Sequence, residues 1–180
     1  AQLMTDKKEI RRTMKRLNLS LPGSERSERS ERLFAEVAAT AEFAAARTVA
    51  LFASLPDEPD TAAALAAWAA DKHLVVPRVA GDEMEFYDYL PDAMRSGAFG
   101  IDEPQGATPC PPERIDLIVV PGTAFTRAGA RMGRGRGYYD RYLSRPGFRA
   151  RTVGVCYTHQ LLDTLPVEPH DVPLDRVIAG

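Results

Sequence analysis

Lysine is scarce in this 180-residue sequence: Lys7, Lys8, Lys15 and Lys72 are the only four among 23 basic residues, and the rest are arginines. The planar arginine fork grips phosphate and carboxylate at two points, which a lysine ammonium cannot do. Cysteine is scarcer still. Cys110 and Cys156 lie far apart in no paired spacing, which argues against a disulfide framework and for a reducing, cytoplasmic location. No apolar run approaches the roughly 20 residues of a membrane helix, and the start of the chain is polar by Asp6 with no signal-peptide core, so no membrane partner is expected. His73, His159 and His170 lack zinc spacing, there is no Gly-x-Ser-x-Gly, and neither cysteine has a basic neighbourhood to activate it. These absences remove the common nucleophilic and zinc hydrolases. The net charge of −2 argues against a general nucleic-acid binder, and no aromatic-rich RNA-binding strand motif is present.

What remains is an ordinary globular composition, 44% hydrophobic and 27% charged, long enough to bury a full core as a single domain over residues 1–180. Ile10, Met14 and Leu17 recur at helical spacing, and Pro22-Gly23 breaks that helix. The repeat Ser24 to Arg32 sets Glu25 against Arg29 and Glu28 against Arg32 at i,i+4, which predicts the solvated start of a second helix running towards Ala46. Short apolar runs at 48–53, 74–77, 117–120 and 152–156 read as strands, with a weaker one at 84–87 and a closing one at 176–179. Helices are expected at 61–71, capped by Asp60 or Thr61, at 138–144 and at 160–165. Asp88 to Pro112 reads as a long loop. Continuously apolar strands alternating with helices predict an α/β fold with a parallel central sheet flanked by helices on both faces, the pattern of the mostly parallel α/β sandwich that the resemblance given below also implies. Ligands in such sheets sit beyond the carboxyl ends of the strands, here near 54–60, 78–82 and 121–137.

The 121–137 loop carries the strongest chemical signal. Gly133, Gly135 and Gly137 alternate with Arg134 and Arg136, and Arg131 precedes them. Glycines let backbone amides approach an anion, the helix that follows offers its positive end, and arginines add charged donors. These features together suit a polyphosphate site, the alternative being a surface loop with incidental arginines; the segment has no Walker lysine and no dinucleotide-fold glycine spacing. Of Tyr138 and Tyr139, one suits stacking on a ring while the other packs inward. Asp140 is either a magnesium ligand or a first-turn aspartate favoured by the helix dipole. Lys7 and Arg11 share one face of the first helix and repel unless an anion joins them; the residues alone read equally as a solvated basic face. Glu58 suits the polar edge of a ligand.

The ordered set Pro121-Gly122-x-x-Phe125, Gly129-x-Arg131-x-Gly133-x-Gly135-x-Gly137-Tyr138-Tyr139-Asp140-Arg141-Tyr142-Leu143 resembles the 5-formyltetrahydrofolate cyclo-ligase family. Lys7-x-x-Ile10-Arg11, Glu58-x-x-Thr61, Pro77-Arg78, Phe99-Gly100-Ile101-x-Glu103-Pro104, Gln160 and His170-Asp171 extend the likeness over nearly the whole chain. The resemblance implies an ATP- and magnesium-dependent ligase that converts 5-formyltetrahydrofolate to 5,10-methenyltetrahydrofolate. In that family the formyl oxygen is thought to attack the γ-phosphate, and the neighbouring nitrogen then closes the ring and releases phosphate. Nucleotide contacts carried over from the family fall on Lys7, Arg11 and Arg131, Met132, Gly133, Arg134, Gly135, Arg136, Gly137, Tyr138 and Tyr139. Folate contacts fall on Ala53 and Glu58, magnesium ligands on Asp140 and Asp171, and catalytic roles on Arg134 and Tyr138 between the two substrates. A monomer acting on a small molecule is expected. Thr126, Phe99 and Ala53 depart from residues common in the family, and they leave the pocket's shape open.

Overall fold

The computed structural model describes residues 6–97 and 100–180. Its helices are α1 (Lys7–Leu19), α2 (Gly23–Ala38), α3 (Ala41–Ala45), α4 (Ala62–Asp71) and α5 (Tyr138–Leu143). Its main strands are β1 (Thr48–Ala50), β2 (His73–Ala80), β3 (Glu83–Asp88), β6 (Leu117–Val120), β9 (Arg151–Cys156) and β10 (Arg176–Ala179). They form one six-stranded sheet in the order β10-β9-β6-β1-β2-β3, in which all neighbours are parallel except the β2–β3 hairpin. Two short antiparallel ribbons, β4 (Arg95–Ser96) with β5 (Asp102–Glu103) and β7 (Ala124–Phe125) with β8 (Arg131–Met132), lie outside it. The α/β sandwich expected from the strand pattern is therefore what forms.

Register decides which apolar residues face which layer. Val49 pairs with Leu74 and with Leu117, and Val119 with Val153, so this row meets Leu33, Phe34 and Val37 of α2 and Leu65 and Trp68 of α4. The next row, Ala50, Val75 and Ile118, faces Phe125, Tyr142 and Leu143 on the opposite side. Each fully buried side chain of this size contributes about 1.5–3 kcal/mol before the cost of ordering it. A third cluster sets Ile10 and Met14 of α1 against Ala124 and Met132 of the β7–β8 ribbon. That contact fixes the first helix beside the glycine-rich loop.

Several local expectations need correcting. The second helix does not run to Ala46. Thr40 ends it by donating to the Val37 carbonyl and restarts α3 by accepting from the Phe43 amide. The first strand stops at Ala50, although the Leu51 amide still bonds the Val75 carbonyl. No helix forms over 160–165; a single 3-10 turn spans Thr158–Gln160. The Gln160 side chain is spent on the Tyr157 amide and the Gly122 and Thr123 carbonyls, while the Leu162 amide pairs with the Phe125 carbonyl. The charge repeat does form the pairs Glu25–Arg29 and Glu28–Arg32. Its Arg26 and buried Ser30 nevertheless turn inward, onto Leu55, Glu58 and Asp60. Asp60, not Thr61, supplies the side-chain cap of α4 by accepting from the Ala62 amide; the Thr61 hydroxyl accepts from the Ser54 amide instead. The long loop holds the β4–β5 ribbon, and Phe99 lies outside the described residues. Among the described residues no helix is long and apolar enough to cross a membrane.

Candidate active site

A cavity of about 550 Å³ opens beyond the carboxyl ends of β1 and β6, where Ala53, Pro121 and Gly122 leave the sheet. The structure brings every site residue nominated from sequence to its wall: Lys7 and Arg11, Ala53 and Glu58, the whole stretch Arg131 to Asp140, and Asp171. Apolar walls come from Val79 and Met84 of the hairpin, which carry no chemical signal in the sequence, and from Ile101 of the Phe99–Pro104 motif. Among the described residues no serine, threonine or cysteine lines the cavity.

The glycine-rich loop is braced from several sides. Gly137 adopts φ +74° as the residue before α5, a conformation that favours glycine. A Cβ on Gly133 would come within 3.1 Å of the Arg131 guanidinium. Arg11 Nε donates to the Gly133 carbonyl at 3.0 Å and ties α1 to the loop. At the other end, Tyr138 Oη donates to the Gly81 carbonyl at 2.9 Å and Arg141 donates to the Asp82 carbonyl, so the hairpin turn fastens the start of α5.

The arginines expected to add charged donors divide their work. Arg131 is 8% exposed. Its Nε donates to the Pro121 carbonyl at 2.7 Å, and its guanidinium lies 5.1 Å from the Tyr139 ring centroid and 4.0 Å from Asp140 Oδ2. Burial pulls its pKa below the usual guanidinium value, with Asp140 and Tyr139 pulling the other way. Arg131 therefore builds the loop as much as it lines the cavity. Arg134 is the more exposed one, paired with Asp57 and 3.6 Å from Glu58 Oε2. The pairing with Asp57 was not legible in the sequence, where Asp57 is one acid in an acidic turn.

Glu58 is 7% exposed, with Oε1 accepting from the Leu55 amide at 2.8 Å. Burial raises its carboxyl pKa above the ordinary range, opposed by the Arg134 charge. Tyr139 is held neutral by burial and by the nearby Glu58. At the mouth, Lys7 Nζ donates to Glu168 Oε1 at 2.8 Å, and His170 Nε2 stands 3.3 Å from the other Glu168 oxygen. The Lys7 ammonium holds the Glu168 carboxyl below the usual range.

Asp140 and Asp171 approach each other through the chain between them. Asp140 Oδ1 accepts from the amide of Val172, the residue after Asp171, and Asp171 Oδ2 accepts from the Glu168 amide. Among the described residues no group of three or more His, Cys, Asp or Glu is placed to hold a metal. Two carboxylates alone are too few for a zinc or calcium cage. They suit magnesium, which prefers oxygen ligands and completes its shell with water and substrate phosphate.

Comparison with known proteins identifies the family. The sequence profile of the 5-formyltetrahydrofolate cyclo-ligase family matches residues 3–180. A 5-formyltetrahydrofolate cyclo-ligase of Haemophilus influenzae is 33% identical over 143 residues, covering 75% of this chain and 76% of that one. One from Mycolicibacterium smegmatis is 39% identical over 98 residues, a match that spans 53% of this chain and half of the relative. The solved structure of the Aquifex aeolicus 5,10-methenyltetrahydrofolate synthetase superposes with a TM-score of 0.86 at 34% identity, covering 96% of this chain and 89% of that one. The Mycoplasma pneumoniae synthetase gives 0.79 at 25% identity, covering 97% and 98%. The chain belongs to the 5-formyltetrahydrofolate cyclo-ligase family.

Proposed function

We propose that this chain converts 5-formyltetrahydrofolate to 5,10-methenyltetrahydrofolate at the expense of ATP, releasing ADP and phosphate. The observation that carries the reading is the composition of one cavity: cations and a glycine-rich loop on one side, an enclosed carboxylate on the other, and no serine, threonine or cysteine among the described lining residues. Such a wall suits a reaction in which one substrate attacks the other, so that positioning and charge stabilisation do the catalysis.

Lys7, Arg11 and the loop Arg131 to Tyr139 bind the nucleotide. Ala53 and Glu58 bind the folate, with the Glu58 carboxylate accepting from N–H groups on the pterin edge. Arg134 lies between the two. In the free protein Asp57 and Glu58 hold its fork; when both substrates are present the fork stabilises the charge of the transferring phosphoryl group. Tyr138, anchored through Gly81, keeps its ring at the junction. The formyl oxygen bonds to the γ-phosphorus as the bond to ADP breaks. The neighbouring nitrogen then bonds to the formyl carbon, loses its proton, and phosphate departs. Asp140 and Asp171 would hold magnesium, which when bound neutralises phosphate charge.

The 180 residues act as one domain and as a monomer in this reading. The buried free thiols of Cys110 and Cys156 support a cytoplasmic location. The test mixes protein, 5-formyltetrahydrofolate, magnesium and ATP and follows the near-ultraviolet absorbance of the methenyl product. Product that forms without ATP, or no product at all, overturns the proposal.

A further inference from the structure

Asn18 stands in the last turn of α1, 4% exposed, on the face whose earlier members Ile10 and Met14 are apolar. A buried amide at such a position is costly unless both of its ends are bonded. Both are. Nδ2 donates to the Asp57 carbonyl at 2.9 Å, and Oδ1 meets His159 Nε2. The directions are fixed by chemistry: a backbone carbonyl only accepts, so the amide nitrogen faces Asp57 and the amide oxygen faces the imidazole. His159 Nε2 therefore carries a proton and donates. The ring is stacked on Tyr157, with centroids 5.7 Å apart at 22°; burial together with the Arg29 charge pushes its pKa down and favours the neutral ring, and the bond to Asn18 Oδ1 keeps its proton on Nε2.

The same loop is held at its other carbonyls. Arg26 donates to Leu55 and Glu58, each at 3.1 Å, and Tyr157 Oη donates to Glu58 at 3.3 Å. The segment that presents Glu58 to the cavity thus hangs from α1, from α2 and from the stretch after β9. The nucleotide side is fixed by other contacts, Ile10 and Met14 against Ala124 and Met132, and Arg11 on Gly133.

We infer that Asn18 is a positioning residue for folate recognition: through the directed chain His159 to Asn18 to the Asp57 carbonyl it sets where Glu58 stands in the cavity. This inference rests on the proposed function. Losing the Asn18 bond frees the carbonyl immediately before Glu58 while Arg26 and Tyr157 keep the rest of the loop in place. The loop then shifts rather than unfolds, and the folate side suffers while the nucleotide side does not.

Steady-state kinetics of the full chain, with each substrate varied in turn, test this. Asn18→Leu keeps the size of the side chain and removes both bonds. The expected result is a KM for 5-formyltetrahydrofolate raised about tenfold, the factor for one lost anchoring hydrogen bond, with the KM for ATP changed by less than about twofold. His159→Phe keeps the stack on Tyr157 and removes the donor, so it should move the folate KM in the same direction; His159→Gln, which can still donate, should return it towards the parent. If Asn18→Leu fails to fold, the two His159 variants decide. A lowered melting temperature with an unchanged folate KM, or equal rises in both KM values, overturns the positioning role. Absence of turnover by the unmodified chain overturns the functional reading instead.

Discussion

Replacing Arg134 with alanine separates catalysis from stability. Its side chain is 40% exposed, against 11% for Asp57 and 9% for Glu58. An ion pair with one partner this open contributes about 0–1 kcal/mol to stability. The enclosed Glu58 loses a compensating charge, and a carboxyl in that position takes up a proton rather than unfolding the chain. The melting temperature should therefore fall by no more than about 2–4 °C in a chain of this size. Turnover should respond on a different scale. Removing one preorganised charged donor from a developing oxyanion costs about 10²–10³ in kcat, and that is the loss expected here. Arg134→Lys restores a charge without the fork and should fall between the two. The assay is methenyl product formation with both substrates saturating, alongside a thermal melt of each variant. Turnover within about tenfold of the parent, equivalent to about 1.4 kcal/mol of barrier, would refute the phosphate-clamp role. A melt that collapses by far more than the ion pair allows would refute the stability argument.

Asp140→Asn should raise the magnesium concentration needed for half-maximal turnover, and an unchanged titration counts against metal ligation. Glu168→Gln removes the carboxylate that occupies Lys7 in the free protein, so the KM for ATP should fall by roughly two- to fivefold, the size of an exposed ion pair; a higher KM would mean that Glu168 assists binding. The raised pKa of Glu58 places its protonation above the ordinary carboxylate range, so the folate KM should climb on acidification before the other carboxylates titrate. The sign for stability is the reverse: a carboxyl whose folded pKa is raised contributes at acid pH and loses that contribution as pH rises through the folded value, so Glu58→Gln should stabilise the chain at pH 8 more than at pH 5. Equal effects at the two pH values would show that burial does not govern this group.

The sequence by itself determined the architecture and the chemical character of the site. An apolar run such as 117–120, buried at every residue, suits a parallel sheet with helices on either side, because it leaves no polar face for solvent. Glycine at 133, 135 and 137 and arginine between them are local requirements of a backbone that approaches anions, so that signal sits in consecutive residues. Tertiary structure alone decided how the arginines are used. Arg131 became a buried brace because Pro121 presents a carbonyl to it, and Arg134 became the exposed fork because Asp57 and Glu58, far away in sequence, meet it across the cavity. The supports of the substrate loop were equally invisible. Asn18 comes from α1, Arg26 from α2, and Tyr157 and His159 from the turn after β9, and each reads on its own as a helix or loop residue of no consequence. The same holds for the failed helix at 160–165, where Gln160 spends its side chain on carbonyls near Gly122 that no sequence window contains. Periodicity and turn chemistry act within a few residues, whereas partners for buried polar groups are found only when the chain has folded, and that difference in range divides what the sequence determined from what the fold decided.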